Sequence, residues 1–198
     1  MEDPPELRFE AGQWVSVPFG PKNVRAYSIA STPRFPQRIT LSADVAPGGL
    51  GSTWFRGLKV GQTVNFKGPF GGFVFNRDDP RRPLFVAEEI GIVPARSILT
   101  DLDATGFAHP TMLVYWGRSP AWMPYHADFV ALAHRHPAFA YHSVRGEDSL
   151  PATVDELVPD VAGLAAYVSG GRQMIDAVRA VLMAKGMERK SVKWEKFW

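Results

Sequence analysis

The heptad Arg25-Ala26-Tyr27-Ser28-Ile29-Ala30-Ser31 sets a cation, an aromatic ring and a hydroxyl at alternating positions. Alternate residues of a β-strand share one face. Such a face offers a charge to a phosphate, a flat surface to a ring and a hydrogen bond to a ring nitrogen. An ordinary half-buried strand with incidental polar residues is the other reading of the same heptad. A second group, Pro47-Gly48-Gly49-Leu50-Gly51-Ser52-Thr53-Trp54-Phe55, is a Gly-rich turn running through Ser-Thr into apolar residues, the pattern of a short helix start. The free N–H groups and partial positive charge of a helix start favour a phosphate, although such turns also occur without a ligand. A third, Gly68-Pro69-Phe70-Gly71-Gly72-Phe73, either closes a barrel corner or walls a flat ring.

These groups need elements to position them. Trp14-Val15-Ser16-Val17, Ile39-Thr40-Leu41-Ser42 and Thr63-Val64-Asn65-Phe66 are short apolar or alternating runs between turn residues, as in a small antiparallel barrel. The polar run from Asn76 to Pro83 marks a boundary that divides the chain into residues 1–79 and 80–198. Beyond it, apolar runs at 84–87, 112–116, 139–141 and 164–168 alternate with helical spacing over 94–104, 125–134 and 173–184. That alternation predicts a parallel sheet with crossover helices. Its ligands lie beyond the carboxyl ends of the strands, just after Ala87, Trp116 and Val168.

Composition narrows the function classes. The formal charge is +2, with nine Lys/Arg against seven Asp/Glu in residues 1–79 and thirteen of each in 80–198, so no basic face for nucleic acid is expected. Cysteine is absent, which excludes disulfides, thiolate metal sites and a fused iron–sulfur centre. The five histidines are scattered and no metal set is expected; no Gly-x-Ser-x-Gly elbow points to a serine nucleophile. With no apolar run of membrane-helix length and no signal-like start, a cytoplasmic protein without a membrane role is expected.

In their order and spacing the three groups, with Ala11-Gly12-Gln13-Trp14-Val15 ahead of them, resemble the ferredoxin–NADP⁺ reductase superfamily. The likeness runs from about Ala11 to the C-terminus. It implies a β plus α/β fold: a small, truncated antiparallel flavin-binding β-barrel followed by a Rossmann-like parallel-sheet nucleotide-binding domain. By that resemblance Arg25 holds the flavin phosphate, Tyr27 stacks on the isoalloxazine and Ser28 hydrogen-bonds near the reactive ring nitrogen. Gly49 and Ser52 sit at the pyrophosphate, which favours FAD over FMN, and Phe70 walls the ring.

The second half continues the likeness with departures. Glu88-Glu89-Ile90-Gly91-Ile92-Val93-Pro94 stands where the family has Gly-Gly-x-Gly-Ile-x-Pro, so Gly91 and Pro94 fit and two carboxylates replace two glycines. Those carboxylates either point to solvent or weaken nicotinamide binding. Gly117-Arg118-Ser119 places Arg118 at the nucleotide's phosphate or ribose end, or simply on the surface. Ser169-Gly170-Gly171-Arg172-Gln173-Met174 replaces the family's Cys-Gly-Pro-Pro-x-Met; Gly170 and Met174 match, and Ser169 takes the place beside the nicotinamide carbon. In the tail Trp194-Glu195-Lys196-Phe197-Trp198, Phe197 or Trp198 covers the flavin's other face, or the tail is a frayed end or an edge strand. About ten residues precede the Gly12-Gln13 step where the family has some two dozen. The barrel is then completed differently, keeps an edge open for a partner, or lacks its start.

The implied activity is hydride transfer from NADH or NADPH to FAD, then single-electron delivery to a separate acceptor: an iron–sulfur protein, a haem protein or an oxygenase component. The alternatives are a partner-fed flavin subunit without nicotinamide binding, or a non-enzymatic binding module that keeps the fold.

Overall fold

Parallel strands buried on both faces read as continuous apolar runs, and the second half of the chain folds accordingly. The computed structural model describes residues 5–19 and 22–197. Five strands pair in parallel in the order β6-β5-β4-β7-β8: β4 (Arg82–Glu88), β5 (Thr111–Gly117), β6 (Phe139–Arg145), β7 (Leu164–Gly170) and β8 (Val192–Lys196). Helices α2 (Ile92–Thr105), α3 (His126–Arg135), α4 (Leu150–Leu157) and α5 (Arg172–Ala184) connect them.

Strand alternation divides the core in two. Leu84, Val86, Val114 and Val168 face Val154 of α4 and Val178 and Leu182 of α5. Phe85, Ala87, Leu113, Tyr115 and Tyr167 face Ile98 and Leu102 of α2 and Phe129 and Leu132 of α3. From β4 the chain steps outward to β5 and β6, then returns to β7 on the opposite side. The crevice between the ends of β4 and β7 is therefore the topological switch point.

The first half holds a three-stranded antiparallel sheet, β2-β1-β3, made by β1 (Trp14–Pro18), β2 (Val24–Ser28) and β3 (Lys67–Phe70). It is the truncated barrel, and α1 (Leu50–Gly57) packs beside β2. Two expected strands differ. Residues 39–42 add only an isolated bridge, Leu41 to Ile29. The Thr40 N–H is taken by the Ser31 hydroxyl at 3.0 Å rather than by a strand carbonyl, and a side-chain acceptor ends a ladder. Residues 63–66 are irregular, and the ladder to β1 begins at Lys67.

Helix α2 joins the halves. Arg96 Nη1 donates to the Ala30 carbonyl at 2.6 Å and Ser97 Oγ to that of Ser31 at 2.7 Å. The Asp101 carboxylate accepts from Thr32 Oγ1 at 3.1 Å and pairs with Arg34 and Arg77. Among the described residues no helix is long and apolar enough to cross a membrane.

Candidate flavin and nucleotide site

A groove of about 470 Å³ opens where the edge of β2, the start of α1, the loop at 42–47 and the ends of β4 and β8 converge. Arg25, Tyr27, Ser28, Gly49 and Ser52 all line it, as do Asp44, Glu89, Ile90, Arg118 and Phe197. The volume lies within the usual range of small-molecule sites, roughly 300–1,000 Å³. The four consecutive residues 25–28 all reach the groove, so alternation along one face does not select them. Strand β2 is an edge, and the groove runs along its open side.

Each side chain is placed for a local reason. Arg25 is exposed; its guanidinium donates to the carbonyl of Val24 at 2.8 Å and, among the described residues, pairs with no carboxylate. Tyr27 is 9% exposed, sandwiched by α1 against Trp54 and Phe55 at ring separations of 6.0 and 5.1 Å. Burial raises its phenol pKa, with Arg25 opposing, so the hydroxyl stays protonated. A Cβ on Gly51 would lie 2.6 Å from the Tyr27 hydroxyl oxygen, so only glycine lets α1 approach this closely. The N-cap of α1, Gly49, provides no side-chain cap, and nothing lies within 4 Å of where its Cβ would be. The first N–H groups of α1 lack intrahelical partners, and they stand beside Ser52 and Arg25 as an anion cradle.

Ser28 joins the two halves. Its Oγ donates to Glu195 Oε1 at 2.9 Å, and Glu195 stands beside Ser169 in the β7–β8 register. Burial pushes the Glu195 carboxyl up to about 7, against the lowering effect of the Ser28 bond. The sequence carries Glu195 in its aromatic tail, but its place emerges only once β8 adds to the sheet beside β7. The tail is thus an edge strand, and Phe197 still lines the groove, its N–H donating to the Gly170 carbonyl at 3.0 Å.

Several expected residues lie elsewhere. Phe70 does not line the groove: β3 pairs with β1 on the side away from β2, and the Phe70 ring packs on Trp14 at 5.0 Å. Gly91 and Pro94 are buried and line no part of the groove, and a Cβ on Gly91 would meet the Ser169 carbonyl oxygen at 2.6 Å. Met174 is buried, and its Cε would be 2.5 Å from a Cβ on Gly170. Ser169 is fully buried and its Oγ has no hydrogen-bond partner among the described residues. Arg118 lines the groove, but its guanidinium is held by Glu89 through Nε at 2.5 Å and Nη2 at 2.8 Å. Trp198 lies outside the described residues.

The oxidoreductase FAD-binding domain model matches residues 2–75. Ferredoxin–NADP reductase B of Sorangium cellulosum (strain So ce56) is 31% identical over 208 residues, covering 96% of this chain and 85% of that protein. Reductase component 2 of the terephthalate 1,2-dioxygenase of a Comamonas species is 34% identical over 58% of this chain and 34% of its own length. Among solved structures, the Amycolatopsis cytochrome P450 reductase GcoB superposes with a TM-score of 0.85 at 27% identity, covering 97% of this chain and 62% of that one. The chain thus spans about a third of the oxygenase reductase and under two thirds of the P450 reductase. Sequence and fold agree with the groove: the chain is a FAD-dependent oxidoreductase of the ferredoxin–NADP⁺ reductase superfamily.

Proposed function

We propose that this flavoprotein takes reducing equivalents from NADH or NADPH and passes them through FAD to a separate one-electron acceptor, an iron–sulfur protein, a haem protein or an oxygenase component. The observation that carries the reading is the Ser28–Glu195 contact, because it holds a groove-lining hydroxyl against a carboxyl from the other half whose pKa burial raises to about 7. The donor set fits the cofactor: an exposed cation at Arg25 that pairs with no carboxylate among the described residues, a helix start at Gly49 without a side-chain cap and a buried aromatic at Tyr27 share that groove. FAD, when bound, supplies the conversion between two-electron and one-electron transfer.

The chain's own residues bind, orient and shield. Arg25 and the N–H groups of α1 hold phosphate, and Gly49 leaves room for its approach. Tyr27, fixed by Trp54 and Phe55, presents a rigid aromatic edge to a planar ring. Ser28 offers its hydroxyl, and Glu195 holds or releases a proton behind it near neutral pH. Phe197 lines the groove. The same role supports a cytoplasmic location, where nicotinamide nucleotides circulate.

Purified protein tests the reading. Flavin absorbance with bleaching by NADH or NADPH under anaerobic conditions is the expected result. A flavin-loaded protein that neither nucleotide bleaches, yet dithionite does, overturns nicotinamide as the donor and leaves a partner-fed flavin subunit. That second reading is favoured by the engagement of Arg118 with Glu89.

A further inference from the structure

Two carboxylates stand at the switch point between β4 and β7, and both are engaged. Glu88, the last residue of β4, accepts the N–H of Gly171 through Oε2 at 2.8 Å. Gly171 is the N-cap of α5, a 13-residue helix with no side-chain cap of its own. The Glu88 carboxylate therefore rests on the positive end of the helix that leads away from the crevice. Glu89 turns the other way. Its side chain is 6% exposed and grips the Arg118 guanidinium with both oxygens, while that guanidinium stacks over Trp122 at 4.0 Å.

This arrangement is held against a backbone cost. Glu89 has φ +46°, the left-handed region where side-chain-bearing residues are uncommon. The fully buried Tyr115 fixes it there, donating its hydroxyl to the Glu89 carbonyl at 3.0 Å. Helix starts and arginine forks are both recurrent phosphate-binding devices. Here the Gly171 N–H and the Arg118 fork are each engaged from within the chain, and an incoming phosphate meets the Glu88 and Glu89 carboxyl groups first.

We propose that Glu88 and Glu89 limit dinucleotide affinity at this crevice: their carboxylates take the Gly171 N–H at the α5 start and the Arg118 fork that a phosphate would otherwise use, and a dinucleotide enters only by displacing them. The proposal rests on the reading that the crevice takes a nicotinamide nucleotide. Its consequence is weak dinucleotide affinity in the native chain and strong affinity once the carboxylates are removed. Glycine at 89 suits the left-handed backbone, and its loss of a side chain frees Arg118, whose own side chain is 57% exposed and able to turn.

The test is calorimetric titration of the FAD-loaded protein with NAD⁺ and, separately, NADP⁺, which needs no turnover. Glu88→Gly/Glu89→Gly should tighten binding of at least one nucleotide by about tenfold or more. The charge-neutral Glu88→Gln/Glu89→Gln keeps the side-chain volumes, guards against misfolding of the glycine variant, and should move affinity in the same direction. Unchanged or weaker binding in the folded variants overturns the proposal. Bleaching of the native protein separates this from the donor reading. If the variants bind tighter but the native flavin is not bleached, the proposal stands and the donor reading falls. If the native protein already binds as tightly as the variants, the proposal falls and the donor reading is untouched.

Discussion

Ser28 Oγ and Glu195 Oε1 meet at 2.9 Å, one from the edge strand of the small sheet and one from the edge strand of the large sheet. The bond sets a carboxyl that binds a proton near neutral pH directly behind a groove-lining hydroxyl. The residues around it set four expectations.

The first concerns pH. Burial raises the Glu195 carboxyl to about 7, so the folded chain keeps this proton at pH values where the unfolded chain has lost it. Stability from this group is complete below the ordinary carboxylate range and falls as pH rises through about 7. Urea unfolding at pH 5 and pH 8 should show lower stability at pH 8, and Glu195→Gln should shrink that difference by roughly 1–3 kcal/mol. An unaltered difference in the variant would assign the slope to another group.

Arg25 makes its visible hydrogen bond to the carbonyl of its own neighbour, so the fold does not depend on it. Arg25→Ala should shift the urea midpoint little, by under about 0.5 kcal/mol. Loss of a charge-assisted phosphate bond, about 1.5–3 kcal/mol, should weaken FAD binding roughly tenfold to a hundredfold. Flavin fluorescence on dilution measures the release. Full retention of FAD would remove Arg25 from the phosphate site.

Gly51→Ala places a methyl 2.6 Å from the Tyr27 hydroxyl oxygen and must lift α1 or turn the ring. A cost of about 1–3 kcal/mol and loss of flavin are expected. Tyr27→Phe in the same chain removes the clashing oxygen and should restore part of the stability. Additive losses in the double variant would contradict the close approach.

Two other glycines separate fold from ligand. A methyl at Gly91 strikes the Ser169 backbone, which cannot swing aside, whereas nothing lies within 4 Å of one at Gly49. Gly91→Ala should cost about 3 kcal/mol or more in thermal or urea unfolding. Gly49→Ala should fold normally and weaken only FAD binding, since it narrows the cradle. Equal damage from both would undo the distinction.

The α/β half was legible because its strands are unbroken apolar runs and α2 and α5 are long enough for helical spacing to show. Helix α4 gives no periodic signal in the sequence, although Ser149 caps it by accepting the Ala152 N–H at 3.4 Å. It spans only eight residues, too few for spacing to speak. The first half was harder, since its short Gly- and Pro-bounded runs at 39–42 and 63–66 have the composition of strands but find no ladder. Arg25, Tyr27, Ser28, Gly49 and Ser52 were traceable to one groove from motif order. Motif order puts Phe70 beside the ring, but strand order decides which edge faces the groove, and β3 lies on the far side of β1. Glu195 and the Glu89–Arg118 pair depend on contacts between residues 167 and 29 positions apart, which local patterns do not encode.

Helix α2 has one more consequence. It begins beside the Glu88–Glu89 turn and, within three turns, is tied by Arg96, Ser97 and Asp101 to residues 30–34 of the other half. Spreading the halves would tear those ties, so the groove's width is set by this rod before any ligand arrives. Ordering of the site is thus met during folding, and little association energy need be diverted to closing it.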